Sequence, residues 1–311
     1  MRHARRLISE PDQFGDAVSG MSLTVEFQRR QLRPSQVEQF QTPEWGLDFG
    51  EAHVKTSVRG VLPGGWASLC FVRGPGGSTW NGQSAEPGTL CGVPPGEELD
   101  GHTAPGFGWL TVALPPATWA RCRSLAGLDD RSFQRLSACR MPAHILARIE
   151  RQVLATHRVL CGASSKPGDA AFAVRAASGL ALDLATTTCE LAGRMPPPHD
   201  SLRNRIRLGR RAEAWMRDHL ADAIRVPDVC LALGVSRREL EYAFRATFDQ
   251  SPRDFLHALR LNAIRRALLR ANDAQTPVLH IALDYGITHQ GRFAAEYRAL
   301  FGEPPSATVR R

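Results

Sequence analysis

The last third of the chain repeats itself, and this repeat limits what the chain can fold into more than any other feature. Val226 recurs as Val278 after 52 residues, and Phe244 recurs as Tyr297 after 53. Each copy contains an apolar residue, an apolar and small pair, a glycine and two apolar residues four positions apart, and it closes on a pentapeptide that contains proline. The first copy has Val226, Val229-Cys230, Gly234, Leu240, Phe244 and 248–252, and the second has Val278, Ile281-Ala282, Gly286, Phe293, Tyr297 and 301–305. The repeat predicts one helical unit used twice.

Each copy has the spacing of a helix-turn-helix. The small residues Cys230 and Ala282 let the second helix cross close to the first, and Gly234 and Gly286 can adopt the positive φ that a tight turn requires. The apolar pair in the following helix would point inward, which leaves the residues between on the outer face. Two such motifs therefore present two outward-facing helices.

The outward faces of these helices carry side chains suited to a DNA major groove. Ser236 and Glu239 have the spacing of a capping box, which fixes the start of the first helix. Its outer face holds Arg237, Arg238, Glu241, Tyr242 and Arg245, and the second helix presents His289, Gln290, Arg292, Ala295 and Arg298. Arginine and glutamine form bidentate hydrogen bonds to guanine and adenine edges, and the N-terminus of a helix directs amides at phosphate.

The positive charge of the chain lies in the same region. Residues 201–311 carry 19 basic and 12 acidic side chains, for a net +7, whereas residues 1–200 carry 20 and 19, for +1. Because Lys55 and Lys166 are the only lysines, every basic residue of the last third is arginine, the side chain that forks onto phosphate and guanine. A bias toward arginine codons would give the same composition, so the charge supports DNA binding only together with the repeat.

A long helix is predicted between the two copies. Ser251-Pro252 with Asp254 starts it, and apolar residues at helical spacing continue to about Ala271. About 20 residues would span roughly 30 Å, close to the ~34 Å that separates successive major-groove faces. Such a strut would hold both reading helices on one side of a duplex.

These positions together resemble the AraC/XylS-type bacterial transcription regulators, over roughly residues 205–311. The resemblance is carried by Gly234-Val235-Ser236, Leu240, Phe244, Ser251-Pro252, Arg260-Leu261, Ala263, Ile281-Ala282, Gly286, 291–298 and 301–306. It implies a seven-helix domain that reads an asymmetric DNA site. It further implies base contacts from Arg238, Glu241, Tyr242, Gln290 and Arg292, and backbone contacts from Ser236, Arg237, Arg245, His289 and Arg298. The chain departs from the family pattern at Asp249, usually glycine, and at Ile287, usually phenylalanine; aspartate tolerates the left-handed conformation.

Residues 21–130 predict a small β-sandwich or barrel, because short apolar runs alternate with turn sequences such as Asn81-Gly82. The resemblance implies a cupin-like regulatory module here. Trp45, Trp66, Trp80 and Trp109 are candidates for a ligand pocket, with a place in the core as the alternative reading. No metal site is expected, because His53 and His102 are far apart and no His-x-His is present.

The remaining segments complete an α+β fold class: an N-terminal cupin-like β-sandwich or barrel with a helical dimerisation segment, followed by an all-α domain with two helix-turn-helix motifs. Helices are predicted from Pro142 to Leu160 and from Ala170 to about Leu191, and an apolar stripe on the first could face either a second subunit or the core. The predicted boundaries are an arm at 1–20, the cupin-like domain at 21–130, the helical segment at 131–193, a proline-rich linker at 194–204 and the DNA-binding domain at 205–311.

The function expected is that of a ligand-responsive, sequence-specific transcription activator. Its expected partners are double-stranded DNA, RNA polymerase, a small-molecule effector and a second copy of the chain. One alternative is control by a protein partner. Another is an enzyme of the cupin or DNA-repair kind that uses the helical region only for targeting, which would need a nucleophilic Cys beside a His or a metal triad, and neither spacing is present. No catalytic residue or cofactor is expected, and a cytoplasmic location follows from the lack of an apolar signal segment or membrane span.

Overall fold

The computed structural model divides the chain into two compact units. It describes residues 2–15, 21–62, 64–126, 138–165, 170–192, 200–271, 278–287 and 290–309. The N-terminal unit comprises Met1–Val25, Arg33–His53 and Val58–Pro197, and the C-terminal unit comprises Glu26–Leu32, Val54–Ser57 and Pro198–Arg311. The first unit is rich in strands and the second is helical, which confirms the α+β fold class.

Two β-sheets form the strand-rich part. One has seven antiparallel strands in the order β1-β3-β4-β11-β6-β9-β12, and the other has five in the order β2-β5-β10-β7-β8. The strands are β1 Arg2–Ile8, β2 Ser22–Phe27, β3 Ser35–Gln41, β4 Gly46–Ala52, β5 Thr56–Val61, β6 Ala67–Arg73, β7 Thr79–Trp80, β8 Gln83–Ser84, β9 Thr89–Val93, β10 Glu98–Thr103, β11 Phe107–Leu114 and β12 Ala138–Arg140. The predicted sandwich is confirmed.

The predicted hairpin at Asn81-Gly82 joins β7 to β8. Asn81 has φ 46° and Gly82 has φ 75°, the two positive values that a type I′ turn requires. The turn dipeptide alone was enough to locate this hairpin.

The seven-stranded sheet is the middle of three layers, as β6 shows. Successive side chains of a strand point to opposite faces. Leu69 and Phe71 accordingly join a core cluster with the helices, while Cys70 and Val72 join a second cluster with residues of the five-stranded sheet. Six of the seven residues of β6 are buried for this reason.

Three helices cover the outer face of the seven-stranded sheet: α1 Pro116–Ala126, α2 Ala143–Ser165 and α3 Ala170–Ala192. The last two confirm the predicted helices, with α2 ending five residues later than expected. The apolar stripe of α2 lies in the core, where Ile149, Val153 and Leu160 are at most 1% exposed. This stripe is therefore not a free surface for a second subunit.

The segment predicted as an arm at 1–20 is partly a strand. β1 pairs with β3 along its full length, from Arg2 opposite Gln41 to Ile8 opposite Ser35. The separate arm was thus wrong for these residues, because seven consecutive backbone pairings make them the edge of the sheet. Residues 16–20 lie outside the described part of the chain.

The C-terminal unit contains seven α-helices in its described residues: α4 Asp200–Asp218, α5 Val226–Leu233, α6 Arg237–Phe248, α7 Pro252–Arg270, α8 Val278–Asp284, α9 Gln290–Phe301 and α10 Pro305–Thr308. Three stacked and edge-on rings, Phe244, Phe248 and Phe255, form the centre of its core. Of the linker predicted at 194–204, residues 194–199 lie outside the described residues and 200–204 begin α4.

No helix among the described residues combines the length and the apolar character of a membrane span.

Candidate DNA interface

The first helix-turn-helix consists of α5, a turn and α6. Gly234 ends α5 with φ 64° in the left-handed region, and the Val235 amide donates to the Cys230 carbonyl at 3.0 Å. Leu240 and Phe244 are fully buried, as the repeat predicted. The spacing of Gly234, Leu240 and Phe244 thus fixes both the turn and the face of α6 that points inward.

A complete capping box starts α6. The Glu239 amide donates to Ser236 Oγ at 3.2 Å, and the Ser236 amide donates to Glu239 Oε2 at 2.8 Å. The hydrogen bond from the Ser236 backbone lowers the pKa of Glu239. Its carboxylate is therefore committed to the helix N-terminus, and the negative charge that counts against phosphate binding on α6 is chiefly that of Glu241.

The outer face of α6 is exposed as predicted. Arg237, Arg238, Tyr242 and Arg245 are exposed, and Glu241 is half-buried. Arg238 donates from Nε and Nη2 to the Tyr242 hydroxyl at 3.2 and 3.1 Å. The two side chains stand one helical turn apart and form one unit on this face.

Tyr242 also faces an arginine from another helix. The guanidinium of Arg205 on α4 lies 5.5 Å from its ring centre, the same distance as that of Arg238. Two arginines from different helices thus lie close to this ring, and the sequence alone did not suggest this contact for Arg205.

The C-terminal end of α6 shows how the chain accommodates aspartate at position 249. Asp249 caps the helix at φ 49° and ψ 37°, and its amide donates to the Arg245 carbonyl at 3.2 Å. Aspartate accepts the left-handed conformation where the family usually has glycine.

The second helix-turn-helix consists of α8, a turn and α9. Gly286 has φ 72°, and a Cβ atom there would lie 2.7 Å from the Cα of Ala223. Phe293 and Tyr297 are buried, again as the repeat predicted. This glycine is required both by its backbone conformation and by the close approach of a neighbouring segment.

The predicted reading residues of α9 are described in part. The side chain of Arg292 is 70% exposed and donates from Nε to Glu296 Oε1 at 2.7 Å, and Arg298 is exposed. His289 lies outside the described residues, as does the side chain of Gln290, whose backbone begins α9.

A cleft of about 720 Å³ lies between the two motifs. Basic side chains on its walls outnumber acidic ones; they are Arg225, Arg237, Arg253, His257, Arg260 and Arg292, against Glu241, Asp254 and Glu296. Burial lowers the pKa of His257, with Arg260 and Arg292 acting in the same direction and Glu296 opposing them. The positive potential of the cleft therefore comes from its arginines.

The strut α7 is anchored to the second motif by a buried ion pair. Arg265 of α7, whose side chain is 2% exposed, donates from Nη1 to Glu303 Oε1 at 2.8 Å. The hydroxyl of Thr308 donates to the same oxygen at 2.8 Å and lies 2.9 Å from the hydroxyl of Tyr297. The network joins α7, α9 and α10. The sequence placed Glu303 in a motif without giving it this role, because its partner lies 38 positions away.

A second buried carboxylate reaches the helices from the segment Glu26–Leu32. Glu26, 1% exposed, accepts two hydrogen bonds from Arg217 at 2.9 and 2.7 Å and one from Arg266 at 2.8 Å. Although burial opposes it, these two arginines hold the pKa of Glu26 below its ordinary value. Nothing in the sequence indicates this contact, since the partners are 191 and 240 positions away.

The four tryptophans proposed for a ligand pocket do not share one environment. Trp45 is 1% exposed in the cluster beneath the helices and donates from Nε1 to Ser178 Oγ at 2.7 Å, so the core reading holds for it. Trp80 lies in the cluster between the two sheets, and the half-buried Trp66 and Trp109 pack against that cluster.

Comparisons with known proteins agree with this geometry. Residues 229–311 match a family model described as a helix-turn-helix domain. The chain is 34% identical over 117 residues to the probable thc operon regulatory protein of Rhodococcus erythropolis, which covers 38% of this chain and 34% of that protein. It is 35% identical over 101 residues to XylDLEGF operon transcriptional activator 3 of Pseudomonas putida, covering 32% of this chain and 30% of that protein.

These matches span about a third of the length of the two relatives. Among solved structures, the AraC-like transcriptional activator CuxR aligns with 90% of this chain and 99% of its own, at 11% identity and a TM-score of 0.44. The two spaced motifs, the matched family model and the regulators that share this region lead to one conclusion. Residues 229–311 of this chain carry a helix-turn-helix domain, in the region that is similar to these operon regulators.

Proposed function

We propose that this chain is a sequence-specific DNA-binding transcription regulator that reads two adjacent major-groove segments, one with α6 and one with α9. The observation that carries the proposal is the pair of helix-turn-helix motifs, each exposing arginines from a helix whose opposite face is buried. The 19 residues of α7 between them would span about 28 Å, and this length supports simultaneous engagement of both helices on one face of the duplex.

Within α6, base contacts fall to Arg238, Glu241 and Tyr242. The Arg238–Tyr242 hydrogen bonds orient the guanidinium along the outer face before DNA arrives, which lowers the entropy lost when it forks onto a guanine. We assign contacts with the DNA backbone to Ser236, Arg237 and Arg245.

Within α9, Arg292 and Gln290 take the base contacts, with His289 and Arg298 on the backbone. Because Arg292 is paired with Glu296 in the free protein, binding exchanges this ion pair for a contact with the base edge. An exposed pair of this kind contributes little by itself, so the exchange costs little.

The activating role is proposed from one of the relatives that share this region. The Pseudomonas putida protein is a transcriptional activator of an operon, and this chain shares its C-terminal region. An activator has RNA polymerase as a further partner. The N-terminal sandwich would bind the controlling small molecule, with Trp66, Trp80 and Trp109 around one cluster as the candidate lining, and the chain would act as a homodimer in the cytoplasm.

Control by a protein partner is the second candidate for the N-terminal unit. A thermal-shift screen against small metabolites separates the two, because a ligand that binds only the native state raises its melting temperature. Sedimentation equilibrium tests the dimer.

The DNA-binding proposal is tested by selecting duplexes from a random library with the full chain and measuring affinity for the selected site and for single-base-pair variants of it. Arg238→Ala or Arg292→Ala should cost about 1–3 kcal/mol, or roughly 5- to 150-fold, and should relax the preference at one base step. Arg207→Ala, on an exposed position of α4 outside both motifs, is the matched control and should bind as the unchanged chain does.

Three results would count against the proposal or a part of it. A selection that enriches no sequence would refute specific reading. Equal weakening at every duplex by Arg292→Ala would move that residue to the backbone contacts, and the absence of a steep salt dependence would exclude phosphate neutralisation as a driving term.

A further inference from the structure

Three side chains with metal-binding atoms converge in the N-terminal unit. They are Glu38 on β3 and His157 and Cys161 on α2, and their ligand atoms all lie within 4.8 Å of one another. His157 and Cys161 stand four residues apart on one helix and so share a face. The sequence predicted no Cys beside a His, and this was wrong: Cys161 Sγ lies 3.5 Å from His157 Nε2, on a helix rather than in the sandwich.

We propose that this cluster, here called the Glu38 cluster, is a binding site for a divalent cation of the zinc class. The donor set of one imidazole, one thiol sulfur and one carboxylate is the set that zinc accepts. The proposal goes beyond DNA binding and does not depend on it. It replaces the expectation from sequence that the chain has no metal site.

The distances between the donor atoms fit a tetrahedral ion. With Zn–S at about 2.3 Å and Zn–N and Zn–O at about 2.0 Å, a tetrahedron places sulfur roughly 3.5 Å from nitrogen or oxygen. In the structure Cys161 Sγ lies 3.5 Å from His157 Nε2 and 3.6 Å from Glu38 Oε1. The hydrogen bond of 2.7 Å from the His157 ring is to the other carboxylate oxygen, Glu38 Oε2. Binding one ion through a single oxygen therefore requires the Glu38 carboxylate to turn, so that this oxygen lies roughly 3.3 Å from the nitrogen and roughly 3.5 Å from the sulfur.

The surroundings hold the donors in place. The ring of His157 packs on Phe49, with centroids 4.7 Å apart, and edge-on against Phe40 at 6.4 Å. His3 on β1 stacks on the other side of Phe40 at 4.5 Å, and its Nε2 lies 2.8 Å from Glu38 Oε1. His3 therefore orients the carboxylate, the role that outer partners play around metal ligands.

The cluster is reachable by an ion from solvent. The side chains of His157, His3 and Glu38 are 35%, 28% and 16% exposed. Three protein ligands leave one coordination position for water or another ligand, as in open zinc sites. Loading would tie the helix α2 to the strand β3, and through His3 to β1.

The test uses the full chain, reduced and freed of metal with a chelator, and titrated with Co²⁺. One equivalent should bind with the near-ultraviolet charge-transfer absorption of a thiolate–cobalt bond, and Zn²⁺ should abolish that absorption by displacing the cobalt. Cys161→Ser should remove the absorption, while Cys230→Ser, at a similarly half-buried cysteine of the C-terminal unit, should retain it. Zn²⁺ should also raise the melting temperature of the unchanged chain.

Further variants distinguish the proposed metal ligand His157 from His3, which only orients the Glu38 carboxylate. His157→Gln should weaken Co²⁺ binding more strongly than His3→Gln, which should lower the affinity by about 10- to 100-fold. His144→Gln, at an exposed position of the same helix, should have no effect. Circular dichroism checks that each variant is folded, and if Cys161→Ser is not folded, the loss of affinity in His157→Gln decides.

The proposal is overturned if the unchanged chain shows no thiolate–cobalt absorption, if the absorption survives Cys161→Ser, or if His157→Gln and His144→Gln bind equally well. In that event the Glu38 cluster is a hydrogen-bond network only. Sequence selection by the C-terminal unit is measured separately, so failure of one proposal leaves the other standing.

Discussion

Breaking the Arg265–Glu303 pair should loosen the second helix-turn-helix, and the two single variants should differ in a predictable way. Removing one partner of a buried ion pair costs about 3–5 kcal/mol, because the other charge stays buried. Glu303→Gln leaves the positive charge of Arg265 on a side chain that is 2% exposed, so this variant should lose about 4 kcal/mol of stability. Arg265→Met leaves a carboxylate that is 16% exposed and still accepts from Thr308, so its cost should be near 3 kcal/mol.

The double variant sharpens this test. In the double variant, Arg265→Met with Glu303→Gln, neither charge of the pair remains. The double variant should therefore lose less free energy of unfolding than Glu303→Gln alone. Hydrogen–deuterium exchange on the full chain measures the effect locally, as faster exchange of the amides of α9. At a factor of ten per ~1.4 kcal/mol, 3 kcal/mol corresponds to a rise of roughly 150-fold.

The reasoning would be refuted by additive costs, with the double variant as unstable as the sum of the two single ones. It would also be refuted if exchange in α9 rose no more than exchange in α5, since α5 has no part in this network.

Further predictions concern helix ends, turns and pH. Ser236→Ala should cost about 1 kcal/mol and speed exchange at the start of α6, whereas Ser251→Ala, at the matching cap of α7, should act on α7 instead; equal effects on both helices would contradict this. Gly286→Ala should destabilise the protein more than Gly234→Ala. Both glycines have positive φ, but a Cβ atom has room at position 234 and none at position 286. Urea unfolding of the two variants compares their free energies of unfolding. Since the pKa of Glu26 is lowered in the folded state, its stabilisation is present above the ordinary carboxyl pKa of 4.5 and is lost as the pH falls through the lower folded value. Unfolding measured across that acidic range should show the loss, and Glu26→Gln should flatten the profile; an unchanged profile would exclude the pairing.

Sequence reasoning succeeded where neighbours in the chain decide the structure. The capping box at Ser236, the left-handed Asp249 and the hairpin at Asn81 depend on residues at most a few positions apart. Their chemistry is therefore visible without a fold. The burial of Phe293 and Tyr297 followed from helical spacing in the same way.

The contacts between segments that are distant in the chain could not be predicted from the sequence. Glu26 with Arg217, and Arg265 with Glu303, depend on which helices pack together, and one sequence does not record that pairing. The Glu38 cluster is an intermediate case. The four-residue spacing of its two helical members could be read from the sequence, but the carboxylate lies 119 positions from the histidine and enters only through the tertiary fold.

The helix α7 is buried on nearly all sides, with Phe255, Leu259 and Arg265 among eleven buried residues that face different neighbours. One inserted residue would turn everything downstream by about 100° and advance it by about 1.5 Å. The second motif would then lose its packing against α7, and the outer face of α9 would point in a different direction. In the proposed DNA complex, α9 would then no longer reach the groove on the same face of the duplex as α6.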